Sequence, residues 1–336
     1  MAIEIRKDSK IVDVMVAQAK HENVDSNVAA EASNLIKDLA SNPTPNNRYQ
    51  IAQLVGFAVN EIVRPATNFL DMIADVKRVG FNEKAAFKVK QEGIRAYIQA
   101  KGATTARSKV ANKQVTLDTV AVSARPVINI VELKTGQTQM ADLINDAAYQ
   151  MELKELGYIK GVLNAAATNW TSPFYASGSG VVKATIDNQI RYWNRVSAGG
   201  GATIIGDIDI VSKLAEQTGF TANTTTKQFA DSLIEEANRM GYVGIYNGAK
   251  VINMINPIVE GTNNTFALDT DKLYILPSGA DAAMRPLKVV FEGDIFSQEA
   301  TNIDDSTYEV RLDQYLGAGI VYGDRPYLSV YEDTTL

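Results

Sequence analysis

Few residues of this chain are of the types that usually carry out chemistry. The 336 residues include one histidine and no cysteine, which excludes a disulfide scaffold and any thiolate metal site. His21 lies in a polar stretch, and we interpret it as an exposed residue. A Ser-His-Asp triad would have to use this histidine, and the sequence has no Gly-x-Ser-x-Gly elbow.

Closely spaced carboxylates are the remaining candidates for a metal site. They form the pairs Asp207 with Asp209, Asp269 with Asp271, and Asp304 with Asp305. Oxygen pairs of this kind can bind a hard cation, but no EF-hand spacing surrounds them, so we interpret them as helix caps and solvated loops. The sequence therefore predicts no catalytic residue, metal or cofactor. A glycosidase with two carboxylates is not excluded by the sequence, although nothing in it favours one.

Glycine patterns give no nucleotide site either. Gly317-Ala-Gly319, followed by Gly323, misses the dinucleotide spacing and lies in strand-like sequence, and no phosphate-binding loop is present. We interpret these glycines as positions where strands pack closely. No apolar run approaches 18 residues, so we expect no membrane span.

Charge is distributed unevenly along the chain. Residues 77–113 hold ten Lys or Arg and two acids, a net charge of +8, whereas the rest of the chain has a net charge of −14. Residues 292–313 hold seven acids and one arginine. A chain with one basic and one acidic segment can attract copies of itself head to tail.

The basic segment has the pattern of a long β-hairpin. Apolar residues alternate with Lys88 and Lys90, a bulge is expected at Gly93, and a small polar tip follows. The return strand alternates through Val115, Leu117, Val120 and Val122. Three interpretations are open: contact with another subunit, a solvated arm, or nucleic-acid binding. We favour subunit contact, because the acidic remainder of the chain would repel a phosphate backbone.

One long helix is predicted over residues 140–167. Met140, Ile144, Ala147 and Met151 fall on one face, and Leu156, Ile159 and Leu163 continue on a rotated face after Lys154 and Glu155 interrupt the stripe. We expect the two ends of this helix to lie against different partners. Residues 1–75 read as amphipathic helices that detach easily from the rest of the chain. Residues 125–133 read as a strand, and alternating strands and helices follow, including helices over 208–217 and 229–240.

This order of elements resembles the major capsid proteins of tailed bacteriophages, which have the Hong Kong 97-type fold shared with encapsulins. The fragments Thr203–Asp207 and Asp313–Tyr322 also have the look of that family. The resemblance implies an α+β fold with five parts, all expectations at this point: an N-terminal helical arm (1–75), an extended β-hairpin loop (76–125), a peripheral domain (126–199) with spine helix 140–167, an axial domain (200–290), and return strands of the peripheral domain (291–336).

The resemblance also implies a function. Copies would form hexamers and pentamers of an icosahedral shell enclosing double-stranded DNA, with a portal as a further partner. Two alternatives stay open for scaffolding: a separate scaffold protein, or residues 1 to about 45 as a reduced scaffolding segment. The protein would be found in the virion capsid, and in the host cytoplasm during assembly. Alternatives are an encapsulin-like compartment and a soluble enzyme with an unrecognised site.

Two sets of residues are then predicted to meet between subunits. On the hairpin they are Lys84, Lys88, Lys90, Arg95, Lys101, Arg107, Lys109 and Lys113. On the acidic surface of the next subunit they are Glu292, Asp294, Glu299, Asp304, Asp305 and Glu309.

Overall fold

The chain is built on two β-sheets and one separate β-hairpin. The computed structural model describes residues 5–66, 70–92, 98, 107–109, 111–135, 140–167, 170, 174–196, 201–222, 242–254, 256, 258, 265–266, 269–277, 285–302, 307–321 and 328–336. The helices in these ranges are α1 (Lys10–Ala19), α2 (Ser26–Ser41), α3 (Pro45–Ala66), α4 (Leu70–Ile73), α5 (Ile130–Thr135), α6 (Met140–Ala167), α7 (Lys183–Val196) and α8 (Ile208–Ala215). The strands are β1 (Ala74–Val79), β2 (Ala86–Glu92), β3 (Ala111–Thr116), β4 (Val120–Ala124), β5 (Val127–Asn129), β6 (Tyr175–Gly178), β7 (Ala202–Gly206), β8 (Phe220–Ala222), β9 (Tyr242–Tyr246), β10 (Ala249–Asn253), β11 (Lys272–Pro277), β12 (Leu287–Asn302), β13 (Thr307–Ile320) and β14 (Ser329–Asp333).

Helix α6 has the bounds that the apolar periodicity predicts. Its first stripe, represented by Ile144 and Met151, belongs to a core that it shares with α1, α2 and α3. Ile159 and Leu163, on the rotated stripe, belong to a second core between the two sheets. The expectation that the two ends of this helix face different partners is confirmed.

The first sheet has five strands in the order β1-β12-β13-β4, with β5 also paired to β13. Strands β12 and β13 form its long antiparallel centre, and their register shifts between Glu292 and Phe296. Gly293 lies in this irregularity with a φ of +70°, and the Phe81 ring occupies the space where a Cβ would stand. Glycine is required there because a side chain would meet both strain and a clash.

The second sheet has seven strands in the order β6-β14-β11-β7-β10-β9-β8. Helices α7 and α8 pack on it, with Ile190 and Trp193 of α7 buried. The Trp193 indole donates a hydrogen bond to Ser329 Oγ at 2.9 Å. This bond joins α7 to the C-terminal strand.

The C-terminal strand lies in a different sheet from the one that the sequence suggested. Residues 291–336 were expected to return together to the peripheral domain, but β14 pairs with β11 in the seven-stranded sheet. It is buried on both faces, which is typical of a central strand. Conversely, residues 287–290, assigned to the axial domain, begin β12 in the five-stranded sheet.

Two strand predictions were wrong. The return strand of the hairpin divides, since β3 pairs with β2 while β4 pairs with β13. The strand predicted over 125–133 ends at Asn129, where its partner β13 begins, and the chain turns into α5. Beyond Asn129 the chain satisfies its backbone hydrogen bonds within helix α5.

The N-terminal segment is not detached from the rest of the chain. Val12 of α1, Leu39 of α2 and Leu54 of α3 are buried against α6 and β13. The amphipathic faces of these helices therefore complete a core, and the expectation of a detachable arm was wrong. In the described ranges, no helix is long and apolar enough to cross a membrane. The helix predicted over 229–240 lies outside those ranges.

Candidate assembly interface

The hairpin of β2 and β3 is anchored at its root by one aromatic residue. Phe87 is fully buried and packs with Ala85, Val290 and Leu117. The Lys77 ammonium lies 4.8 Å from the centroid of its ring and also donates a hydrogen bond to Ala86 O at 2.6 Å. The root is thus fixed to the five-stranded sheet. The register of β2 and β3 shifts between Lys90 and Glu92, while Gly93, where we predicted a bulge, lies outside the described residues.

The basic residues of the hairpin lie mostly in solvent. Those whose side chains are described as exposed are Lys84, Lys88, Arg107, Lys109 and Lys113. Lys90 lies in β2, and Arg95 and Lys101 fall outside the described residues. The Lys84 ammonium nitrogen lies 3.9 Å from a carboxylate oxygen of Asp118, and both side chains are mostly exposed. Lys88 and Lys113 make no ion pair with any acid in the described ranges, so their charges are available to a partner.

The acidic residues predicted to receive a hairpin have partners within the chain. Glu292 accepts hydrogen bonds from the Thr119 hydroxyl at 2.7 Å and the Asn82 N–H at 2.6 Å, and these lower its pKa. Asp294 accepts a hydrogen bond from Lys7 at 3.2 Å, yet its side chain is 63% exposed. The turn before the hairpin is therefore tied to β12.

Residues further along the acidic segment also have partners within the chain. Glu309 pairs with Arg125, and Glu299 accepts a hydrogen bond from the Tyr308 hydroxyl at 2.8 Å. Asp304 and Asp305 lie outside the described residues. Among the members of the basic and acidic sets that the structure describes, no ion pair joins one set to the other within the chain. Their meeting between subunits stays a prediction.

An open cavity of about 280 Å³ lies where the first sheet meets α3 and α6. We call it the Glu155 cavity. It is lined by Asn60, Val63, Arg78, Val79, Gly80, Glu155, Phe291, Gly293, Asp294 and Gln314.

Glu155 is fully buried at this cavity, and neither of its carboxyl oxygens has a hydrogen-bond partner among the described residues. Burial and, to a smaller extent, the nearby Glu152 raise the pKa of Glu155 to about 8, while Arg78 opposes the rise. The Asn60 side-chain nitrogen also lacks a partner within those residues. A buried polar group without a partner costs free energy, which makes this cavity a candidate binding site.

The sequence carried a signal for Glu155 that we did not use. It occupies the next position of the apolar stripe after Met151, and we took it as the point where the stripe stops. The structure shows that the stripe continues and that the carboxyl is buried within it. An acid at a core position of a helix is a sign of a functional or paired group.

The other candidate residues have structural roles. Asp207 caps α8 by accepting a hydrogen bond from Asp209 N at 2.9 Å. Asp269 accepts hydrogen bonds from Lys272 and Asn164. His21 is exposed at the end of α1. Within the ranges given above, no group of three or more potential ligands could hold a metal.

The glycines near the end of β13 support close packing. A Cβ at Gly317 would lie 2.8 Å from the Asp118 backbone oxygen, and one at Gly319 would meet Leu117. The segment that carries the chain from β3 to β4 therefore lies close against the end of β13. The interpretation of these residues as packing positions is confirmed.

Solved structures of phage capsids are similar to this chain. The mature capsid protein of bacteriophage PhiM1 is 14% identical, with 80% of this chain and 87% of that chain covered at a TM-score of 0.50. The head structure of Helicobacter pylori bacteriophage KHP40 is 12% identical, with 80% of this chain and 91% of that chain covered at a TM-score of 0.51. The capsid of an empty GTA particle is 11% identical, with 80% and 90% covered at 0.51. These likenesses show the α+β fold of phage capsid proteins.

A family model gives the more specific match. No curated protein sequence matches the chain. The model described as "SPbeta prophage-derived putative capsid protein YonB" matches residues 3–329. Because this match spans nearly the whole chain, and the fold agrees with it, the chain belongs to the YonB family of phage-type capsid proteins and has a structural role in the capsid.

Proposed function

We propose that this chain is the major capsid subunit, and that its copies join through hexamers and pentamers into an icosahedral shell around double-stranded DNA. The observation that carries this proposal is the projecting basic hairpin. Its root is buried, while Lys88 and Lys113 are exposed and paired with no acid among the described residues. A two-stranded hairpin has little stability alone and is expected to gain it by contact with a neighbour.

The charge distribution supports ring assembly. A hairpin segment of net charge +8 on a remainder of net charge −14 favours contact between unlike surfaces of successive copies. Such heterologous contacts close into rings. Each exposed ion pair is worth only about 0–1 kcal/mol, so buried apolar area must supply most of the affinity while charge sets register and partner choice.

The finer parts of the proposal concern partners and location. A portal and a separate scaffold protein would act with the chain in the host cytoplasm, and the shell would become part of the virion. DNA would be enclosed without sequence recognition, since the chain as a whole is acidic. We propose no enzymatic activity. An encapsulin-like compartment has a related fold, but no observation favours it over a phage capsid.

Charge reversal on the hairpin tests this function. The variant Lys88→Glu, Lys90→Glu, Arg95→Glu should keep the fold of the subunit and lose assembly. The matched control is Lys10→Glu, Lys20→Glu, Lys134→Glu, which makes the same charge change at exposed positions outside the hairpin. Particles would be scored by electron microscopy after size-exclusion chromatography. Normal shells from the hairpin variant would contradict the proposal.

A further inference from the structure

The Glu155 cavity lacks the group that a buried carboxyl normally has beside it. Glu155 is fully buried and both of its oxygens lack partners in the described part of the chain. Arg78 lines the same cavity, but its guanidinium group makes no ion pair with Glu155. The central carbon of that group lies 5.2 Å from the centroid of the Phe291 ring. Carboxyls in cores are usually retained with a paired cation, because an unpaired charge is costly to bury.

The lining of the cavity suits a long basic side chain. Val63, Val79 and Phe291 offer apolar surface for an alkyl stem. The Glu155 carboxyl, buried in the free subunit, would turn towards the cavity to accept hydrogen bonds from the charged head. The volume of about 280 Å³ equals that of roughly nine water molecules, which is ample for one such side chain. Asp294 lies at the same cavity and adds a negative charge, and its side chain is 63% exposed.

We propose that the Glu155 cavity receives an ammonium or guanidinium group from the hairpin of a second copy of this chain. This inference rests on the proposed function and names the surface that the hairpin reaches. The segment between Glu92 and Ala111 has 18 residues. Its basic residues are Arg95, Lys101, Arg107 and Lys109.

Occupation of the cavity would be linked to proton release. Several charges face this region: Glu152 on α6, Arg78 on β1, Asp294 on β12, and Lys7 and Glu61, which pair with each other near Asp294. Because burial raises the pKa of Glu155 to about 8, the free subunit is mostly protonated there at neutral pH. A cation pairs with the ionised form, so binding should strengthen as the pH rises from 6 to 9.

The first test measures the critical concentration for assembly of the full chain between pH 6 and pH 9. Wild type should assemble about tenfold more readily at pH 9 than at pH 6 because a charge-assisted contact is gained. Glu155→Gln should lose this pH dependence and need about tenfold more protein at pH 9. The matched control Glu152→Gln should keep the dependence with its midpoint moved to lower pH. A wild-type pH profile in Glu155→Gln would overturn the proposal.

A second test identifies the source of the cation and does not depend on pH. Since the chain has no cysteine, a pair of introduced cysteines reports one contact. Glu155→Cys would be combined in turn with Arg95→Cys, Lys101→Cys, Arg107→Cys and Lys109→Cys, and with Lys10→Cys as control. At least one hairpin pair should yield disulfide-linked oligomers in assembled particles, and the control should not. Linkage in none of the four overturns the proposal.

The two tests separate this inference from the proposed function. If the hairpin charge-reversal variant fails to assemble while Glu155→Gln assembles like wild type, the hairpin binds elsewhere and only this inference fails. If the charge-reversal variant assembles normally, the proposed interface itself fails. Glu155→Leu guards against an effect of folding, since replacing a buried carboxyl by an apolar residue should not destabilise the subunit.

Discussion

Lys288 and Asp75 form an ion pair directly across the parallel strands β12 and β1, with 2.9 Å between the ammonium and a carboxylate oxygen. The Lys288 side chain is only 2% exposed, and its ammonium also lies 5.7 Å from the Phe87 ring centroid. The Lys288 side chain therefore joins its own strand β12 to β1, through Asp75, and to the root of the hairpin, through Phe87. Without this lysine, Asp75, whose side chain is only 14% exposed, would lose its ion pair.

Lys288→Met should lower the free energy of unfolding by about 3–5 kcal/mol, because it leaves a buried charge without its partner. The double variant Asp75→Asn, Lys288→Met should recover much of that loss, because neither charge then remains. Urea unfolding of the unassembled subunit measures both. As a control, Asp118→Asn in the exposed pair with Lys84 should change stability by less than about 1 kcal/mol. Equal effects at the two pairs would show that burial does not matter here.

Phe87→Ala should release the hairpin from the sheet while the two sheets remain folded. The ring is fully buried, and removing it leaves a cavity. This should lower the free energy of local unfolding at the hairpin root by about 3–5 kcal/mol. Amide hydrogen exchange should accelerate in β2 and β3 but not in β7 or β10. Phe87→Leu keeps most of the apolar contact and should behave close to wild type. Unchanged exchange in the alanine variant would mean that the root is held by other contacts.

The raised pKa of Glu155 makes the stability of the unassembled subunit pH-dependent. The folded chain keeps the proton up to about pH 8, whereas the unfolded chain loses it near 4.5. Stability from this group is therefore complete below pH 4.5 and declines as the pH rises to about 8, by at most about 5 kcal/mol. Glu155→Gln should match wild type near pH 4.5 and exceed it at pH 9 in urea unfolding. Parallel curves for the two proteins would argue against a buried carboxyl.

Asp333 gives the opposite pH dependence. Burial alone would raise its pKa, but hydrogen bonds from Lys213, the Thr335 hydroxyl, and the N–H groups of Thr335 and Gly180 lower it to about 2. Its contribution to stability is present above pH 3.8 and is lost as the pH falls through about 2. Asp333→Asn should cost about 3 kcal/mol at neutral pH, because a buried charged acceptor loses its partners.

The check on Asp333 is acid unfolding followed by circular dichroism. Wild type should lose stability between pH 4 and pH 2 more steeply than Asp333→Asn. Asp269→Asn is a matched control, because that carboxylate also bonds a lysine but is half exposed. It should cost less than about 1 kcal/mol. A larger loss at Asp269 than at Asp333 would contradict this ranking.

Several features could be predicted from the sequence because they depend on local patterns. The helix over 140–167 follows from apolar residues at three- and four-residue steps, and the β2–β3 hairpin from alternation around Phe87 and Lys88. The concentration of basic charge in one segment is a property of composition and does not depend on folding. The capsid fold was predicted from the order and length of these elements.

Other features depend on which segments become neighbours. The chain leaves the hairpin after Thr116 and joins the first sheet at Val120. The apolar alternation changes phase between Leu117 and Val120, but this change does not tell which strand each half pairs with. The last strand inserts beside β11, and only pairing between residues that lie 54 to 60 positions apart in the sequence decides this. Periodicity reports which face of an element is apolar, but it does not report which partner covers that face.

Glu155 shows the same limit at a single residue. The sequence places a carboxyl at a position of the apolar stripe, and this fact alone is compatible with a solvent-exposed end of the stripe. Its burial follows from α3 and β12 closing over that turn of α6, which leaves a cavity and two unpartnered oxygens. Local sequence thus determined the helix and its charge, while the tertiary structure decided that this charge lies out of water, because desolvation requires contacts from distant parts of the chain.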